Sequence, residues 1–379
     1  MKHPIPAFCA TLQAIALLAA APAMAQADKP VSKENTDAKG VAEYWTADRF
    51  KAARPLPLPT VKPGQPKHEA PPAQPAAKPE SSDAHPPSLL VKPREQRLYK
   101  PEQHSYLDGE TERQAHGTFN ARYTSTRVFP TFTGNSAQYS ADRAYPYRTV
   151  GKLFFSIDGS PYVCSASVIQ RRVVATAGHC VHSGTADGFY NNFVFVPSFR
   201  DGVAPFNSWN WRFVIVTGAW ANGAGGVPNA ADYAMIEFAD QPLSSGGPIT
   251  KLGNVTGWLG WQTVNLDGNH TSKLGYPCNL DRCQKMQNVM SNSYRTTDPN
   301  NVEYGSDARG GSSGGPWVQN FATMADGGGT GGSAAQNRVV GITSYGYVSA
   351  DPKVQGASVP DSRWVQLWNQ ICARSGNCN

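Results

Sequence analysis

No stretch of this 379-residue chain reaches the ~20 consecutive apolar residues that a membrane-spanning helix needs. The longest apolar stretch, residues 12–21, falls well short and sits near the amino terminus. No Cys follows it at a position suited to lipid attachment, so neither a spanning helix nor a lipid anchor is expected. Metal-site spacings are missing too. No C-x-x-C or H-E-x-x-H occurs, although His179, Cys180 and His182 lie close enough together to raise a zinc site as a rival reading. Charge is also scarce where it would count. The chain carries +6 overall, but residues 26–101 hold +4 of it and residues 102–379 only +1. That near-neutral remainder argues against binding nucleic acid or an anionic membrane.

The chain does contain an export signal. Lys2 and His3 give a short basic start, residues 12–21 an apolar middle, and Ala23-Met24-Ala25 an A-x-A cleavage site. The expectation is a signal peptide over 1–25, cleaved after Ala25, and a secreted or periplasmic product. Cys9 leaves with that segment. Six of the seven cysteines remain, and an even number in an exported chain reads as disulfides. Six cysteines allow about fifteen pairings. Closeness in sequence favours Cys164–Cys180, Cys278–Cys283 and Cys372–Cys378. Neither metal nor cofactor is expected.

Proline divides the rest. Thirteen of the thirty prolines fall between Pro55 and Pro101, in a stretch almost without large apolar residues. Proline removes backbone donors, so residues 26–102 are expected to be a disordered linker or pro-segment without a core of their own. Tyr44, Trp45 and Phe50 mark a short helix or sticky patch within it. From 103 to 379 the pattern changes to short β-type runs between Gly, Asn and Pro breaks, at 150–155, 163–169, 173–176, 193–196, 213–217, 234–238 and 339–343. Many short strands at this spacing argue for an all-β barrel or sandwich. Trp364, Leu367, Trp368 and Ile371 instead recur at helical spacing, so 362–374 is expected to be a terminal helix. The glycine-rich run 326–333 reads as a surface loop.

Three short motifs carry chemistry. Thr176-Ala177-Gly178-His179-Cys180, then Ala231-Asp232-Tyr233-Ala234-Met235-Ile236, then Gly311-Ser312-Ser313-Gly314-Gly315-Pro316 place a His, an Asp and a Ser in that order. A serine hydroxyl is a poor nucleophile at neutral pH, and needs a base within hydrogen-bond reach and a third group to orient that base. Asp240 competes with Asp232, and Ser312 with Ser313. With Pro146–Phe155 and Cys164–Ile169 ahead of them, these motifs resemble the chymotrypsin/trypsin superfamily over residues 145–379, specifically its bacterial branch near the glutamyl endopeptidases.

The resemblance implies two six-stranded antiparallel β-barrels with the site in the cleft between them, followed here by the C-terminal helix. It implies His179, Asp232 and Ser313 as catalytic residues, with the Gly311 and Ser313 backbone N–H groups as oxyanion hole. It also implies a Cys164–Cys180 bond bracing His179, and an extended edge at Ser344-Tyr345-Gly346 that receives the substrate backbone. Two positions depart from the pattern. Trypsin-like zymogens carry an Asp directly before the nucleophile, which captures a new N-terminal ammonium; Ser312 stands here. Glutamyl endopeptidases carry a His directly before that extended edge; Thr343 stands here, which turns the expectation away from Glu. Asp307, six residues before Ser313, holds the place of the acid that binds Arg or Lys in trypsin-like enzymes.

The leading expectation is a secreted, monomeric serine endopeptidase acting on a protein or peptide substrate. A catalytically silent homologue serving as a binding protein is one rival, and an esterase using the same three residues is the other. Esterases of that kind follow Ser-Asp-His order, whereas this chain reads His, Asp, Ser.

Overall fold

The computed structural model describes residues 29–61, 78–101, 121–128, 140–223, 225–263, 270–297, 300–322, 335–347 and 353–378. The expected export signal at 1–25 and the glycine-rich run at 326–333 lie outside the described residues.

The chain is mostly β, with few helices, and strands lie where β-branched and aromatic residues cluster between turn residues. Val150–Ile157 pairs with Ser160–Val168, which pairs with Val173–Thr176. The order continues through Ala234–Phe238, Trp209–Val216 and Asn191–Pro197, and Asn191–Pro197 closes back on Val150–Ile157. All six contacts are antiparallel, so these strands form a closed barrel. Side chains from both faces of its strands are buried, including Phe154, Val174, Trp209 and Ile236.

A second circuit of antiparallel pairs runs through His270–Gly275, Gln287–Thr297, Asn301–Gly305, Val354–Ser358, Arg338–Tyr347 and Pro316–Gln319. The terminal helix spans Ser362–Cys372 and buries Trp364, Leu367 and Ile371. Asp361 caps it by accepting from the Arg363 N–H at 2.8 Å, and the Tyr233 hydroxyl also donates to Asp361. Tyr233 directly follows Asp232, so the helix cap fixes the backbone beside that acid.

The expected disorder over 26–102 is corrected in its described parts. Val31–Glu34 adds antiparallel to Trp209–Val216, and Ser81–Ser82 adds to Gly260–Gln262. Arg54–Pro55 pairs with Ser160–Val168, and Thr60–Val61 pairs with Arg338–Tyr347, both in parallel. Two short helices, Ala38–Tyr44 and Ala47–Ala52, carry the expected sticky patch. Trp45 stacks on Phe50 at 4.7 Å, both meet Phe154 of the first barrel, and the Trp45 indole N–H donates to the Asn192 carbonyl at 2.6 Å. Composition failed here because it counts only what a segment can bury against itself. This segment uses strand edges and apolar surface that belong to the barrels, and each buried aromatic contributes roughly 2–3 kcal/mol.

Lys152, on Val150–Ile157, is buried, its ammonium over the Phe199 ring and donating to the Cys283 carbonyl at 3.0 Å. Burial pushes its pKa down to about 7. The unfolded chain therefore binds more protons than the folded one between about pH 7 and pH 10, and folding stability rises with pH across that window. Lys152→Met should flatten the rise. The check is denaturant unfolding at pH 6.5 and 9, comparing the change in free energy between the two pH values for each protein.

Candidate active site

Residues His179 and Asp232 arrive at one end of the first barrel through strand register. Val173–Thr176 and Ala234–Phe238 are antiparallel neighbours with Thr176 opposite Ala234, so the chain leaving one and the chain entering the other meet at the same end. His179 sits in a short helical turn, Gly178–Cys180, directly after its strand. The Asp232 carboxylate accepts from the His179 backbone N–H at 2.8 Å and from His179 Nδ1 at 2.8 Å. A third donor, the Ser344 hydroxyl, reaches the same carboxylate at 2.5 Å from the strand Arg338–Tyr347. Asp232 is buried, and a buried carboxylate is tolerable only when donors replace its water. Asp240, the competing acid, pairs instead with Arg172, away from His179.

Ser313 lies in the loop that leads into Pro316–Gln319, a strand rather than a helix. Gly314 lies at φ +77°, where a Cβ would stand 2.1 Å from the Thr176 hydroxyl and 2.8 Å from the Ala177 N. That approach, open only to glycine, brings Ser313 against the chain that carries His179. Ser313 Oγ and His179 Nε2 are both buried, and neither has a hydrogen-bond partner among the described residues. Catalytic hydrogen bonds are commonly long before substrate binds. Gly311, at φ +93°, turns the backbone where a side chain would strike the Tyr276 carbonyl at 2.5 Å. Among the described residues no backbone acceptor takes the Gly311 or Ser313 N–H.

Ser312, the competing nucleophile, is already engaged. Its hydroxyl donates to the Arg309 carbonyl at 2.7 Å and accepts from Gln355 Nε2 at 2.8 Å. Gln355 in turn accepts from the Ser306 hydroxyl at 2.7 Å. Neutral hydrogen bonds thus brace the loop before Ser313.

The cysteines pair as Cys164–Cys180, Cys278–Cys283 and Cys372–Cys378, with Cα separations of 6.3, 4.0 and 5.2 Å. The first joins Ser160–Val168 to the turn carrying His179. Among the described residues, Cys164, His179 and Cys180 bring three potential ligand atoms within 4.8 Å. The two sulfurs are bonded to each other and offer no thiolate, so this group does not fit a metal. His182, the other member of the suggested zinc set, instead accepts from the Gly184 N–H at 3.0 Å.

The residues named for substrate contact are placed less uniformly. Thr343 is buried and its hydroxyl accepts from the Trp317 indole N–H at 2.9 Å. A small cavity is lined by Ala308, Ser312, Thr343 and Gln355, without Asp307. Asp307 is half-buried at the edge of that region, where its carboxylate accepts from the Ser125 hydroxyl. Among the described residues it makes no ion pair. Gly346 donates its N–H to the Pro59 carbonyl at 2.9 Å.

Sequence reasoning missed Ser165, the residue that joins the two circuits. Its N–H donates to the Ser313 carbonyl at 2.8 Å, and its hydroxyl donates to the Gly311 carbonyl and accepts from the Tyr276 N–H, each at 2.8 Å. A single Ser beside a Cys carries no sequence signal for such a role.

No family model matches this chain. A glutamyl endopeptidase of Bacillus licheniformis is 28% identical over 206 residues, covering 53% of this chain and 58% of that protein. An extracellular metalloprotease of Bacillus subtilis is 24% identical over 195 residues, covering 50% of this chain and 57% of that protein. The chain therefore spans less than two thirds of the length of either curated relative. The crystal structure of a thermostable serine protease, AL20, from an extremophilic microorganism matches with a TM-score of 0.50 at 27% identity, covering 60% of this chain and 98% of that one. The fold is that of the trypsin/chymotrypsin-like serine proteases. Within that class the chain is a homologue of glutamyl endopeptidase.

Ser165→Ala should leave the Gly311 carbonyl and the Tyr276 N–H buried without partners. A loss of about 1–3 kcal/mol in unfolding free energy is expected, read by denaturant titration with all disulfides intact.

Proposed function

We propose that this chain is an exported serine endopeptidase in which Ser313, His179 and Asp232 act as a triad. The observation that carries the reading is the buried His179–Asp232 pair together with a buried, unpartnered Ser313 hydroxyl on a loop packed against the chain that carries His179. Ser313 Oγ attacks the scissile carbonyl and passes its proton to His179 Nε2. The negative oxygen of the tetrahedral intermediate is met by the Gly311 and Ser313 N–H groups. As the C–N bond breaks, His179 gives the proton to the leaving amine, and water then releases the acyl group from Ser313 by the same route in reverse. Asp232 holds the imidazole tautomer that leaves Nε2 facing Ser313, and stabilises the imidazolium. Each oxyanion donor is worth ~3 kcal/mol of barrier. Export agrees with the paired cysteines, and among the described residues no helix is long and apolar enough to cross a membrane.

Ser313→Ala should abolish casein digestion and labelling by a fluorophosphonate while near-ultraviolet circular dichroism stays unchanged. Retained activity in Ser313→Ala together with its loss in Ser312→Ala would assign the nucleophile to Ser312. Labelling with ester cleavage but no proteolysis would favour an esterase, and no labelling at all would favour a silent homologue.

Asp307 supports a preference for Arg or Lys before the scissile bond, because its carboxylate is half-buried and makes no close ion pair among the described residues, although the buried Lys273 lies within electrostatic reach. A charge-assisted hydrogen bond there would select a basic side chain. Asp307→Ser should then lower kcat/KM at least tenfold for Arg-containing peptides and far less for Leu-containing ones. Equal losses would make the residue structural.

A further inference from the structure

The polypeptide between Arg54 and Val61 crosses the region around Ser313. It starts on the first barrel, where the Leu56 N–H donates to the Val163 carbonyl at 3.0 Å, and ends on the second circuit, where the Pro59 carbonyl accepts from the Gly346 N–H at 2.9 Å. Between these two anchors it passes Gly310. A Cβ on Gly310 would stand 3.3 Å from the Leu56 carbonyl and 3.4 Å from Pro55. Leu58 is only 8% exposed, and a Cβ on Gly346 would stand 2.7 Å from its side chain.

The three contacts fall on the chain segments that hold the Ser313 loop and Asp232. Val163 lies two residues before Ser165, whose N–H holds the Ser313 carbonyl. Gly310 lies three residues before Ser313, and Gly346 lies two residues after Ser344, which holds Asp232. Ser313 itself is 0% exposed and His179 only 5%. Both groups are therefore almost closed off from solvent.

We propose that residues 54–61 form a built-in inhibitor that keeps the site latent by occupying the edges a substrate backbone would use. The proposal rests on the protease reading above and adds its regulation. The sequence of the segment, Arg-Pro-Leu-Pro-Leu-Pro-Thr-Val, suits an occupant that persists. Proline fixes φ, so the extended form is preorganised, and three of its peptide bonds lead into proline, leaving no N–H to complete a ladder. Both pairings are parallel, the weaker polarity per residue. The occupant is therefore held by a few backbone points, by Leu56 and Leu58, and by Arg54 on Tyr162, and can be displaced. Activation by its release needs no new N-terminal ammonium. Ser312 stands where trypsin-like zymogens place the acid for that ion pair, and it is already satisfied by Arg309 and Gln355.

Leu58→Asp removes the apolar anchor, and Leu56→Pro removes the N–H to Val163 together with the side chain that packs on the core. Neither residue belongs to the triad or the oxyanion hole. The rate of fluorophosphonate labelling of the full chain should rise at least tenfold in each variant, with casein digestion rising in parallel. A synthetic peptide spanning residues 52–62 should inhibit the Leu58→Asp protein competitively and be recovered intact by mass spectrometry. Equal labelling rates in wild type and both variants would overturn the inhibitor while leaving the protease reading in place. Absence of labelling in all three folded proteins would overturn both.

Discussion

Asp232 is a carboxylate taken out of water, and much of the molecule is arranged to make that tolerable. An unpaired buried charge costs several kcal/mol, so its oxygens must be met by donors held in place. The three donors come from two different strand circuits: the backbone and ring of His179 from the first, the Ser344 hydroxyl from the second. The carboxylate therefore orients the imidazole and also ties the two circuits together. Separating them would leave the charge short of donors, so the geometry of the site and the docking of the two halves are one requirement.

Ser165 performs the complementary task on the other side. It fixes the carbonyls of Gly311 and Ser313 from the first barrel. The disulfide from the neighbouring Cys164 to Cys180 braces the turn that carries His179. A closed loop of this size contributes ~3 kcal/mol by the chain-entropy estimate. The His179 turn and the Ser313 loop are thus both referred to two adjacent residues of one strand, Cys164 and Ser165. Positional precision of this kind is what pre-organised electrostatic stabilisation requires.

The strands were legible in the sequence because β-branched and aromatic runs between turn residues have few other outcomes in a chain of this composition. Val173–Thr176 and Ala234–Phe238 match the expected bounds, and the terminal helix runs Ser362–Cys372 against an expected 362–374. The family resemblance preferred Asp232 to Asp240; Asp232 accepts from His179, whereas Asp240 is held by Arg172. What the sequence hid was whatever depends on distant partners. Ser165, Gln355 and Ser306 are ordinary polar residues until the fold sets them opposite buried carbonyls and hydroxyls. Asp307 showed the limit in the other direction: its position in the motif was plain, but not the Ser125 hydroxyl that meets it.

The amino-terminal segment is where composition misled most, and the cause is general. Proline-rich, weakly apolar sequence forms no core alone, because nothing offsets its ordering entropy. A barrel nearby changes the balance without changing the composition. Its strand edges supply hydrogen-bond partners, Phe154 supplies a surface for Trp45 and Phe50, and prolines already restricted in φ lose little entropy on docking. The segment is therefore ordered by the same edges and grooves that a substrate peptide needs. Order in such a segment and access to such a site compete for one surface, and the few, widely spaced contacts at Val163, Gly310 and Gly346 set how that competition is decided.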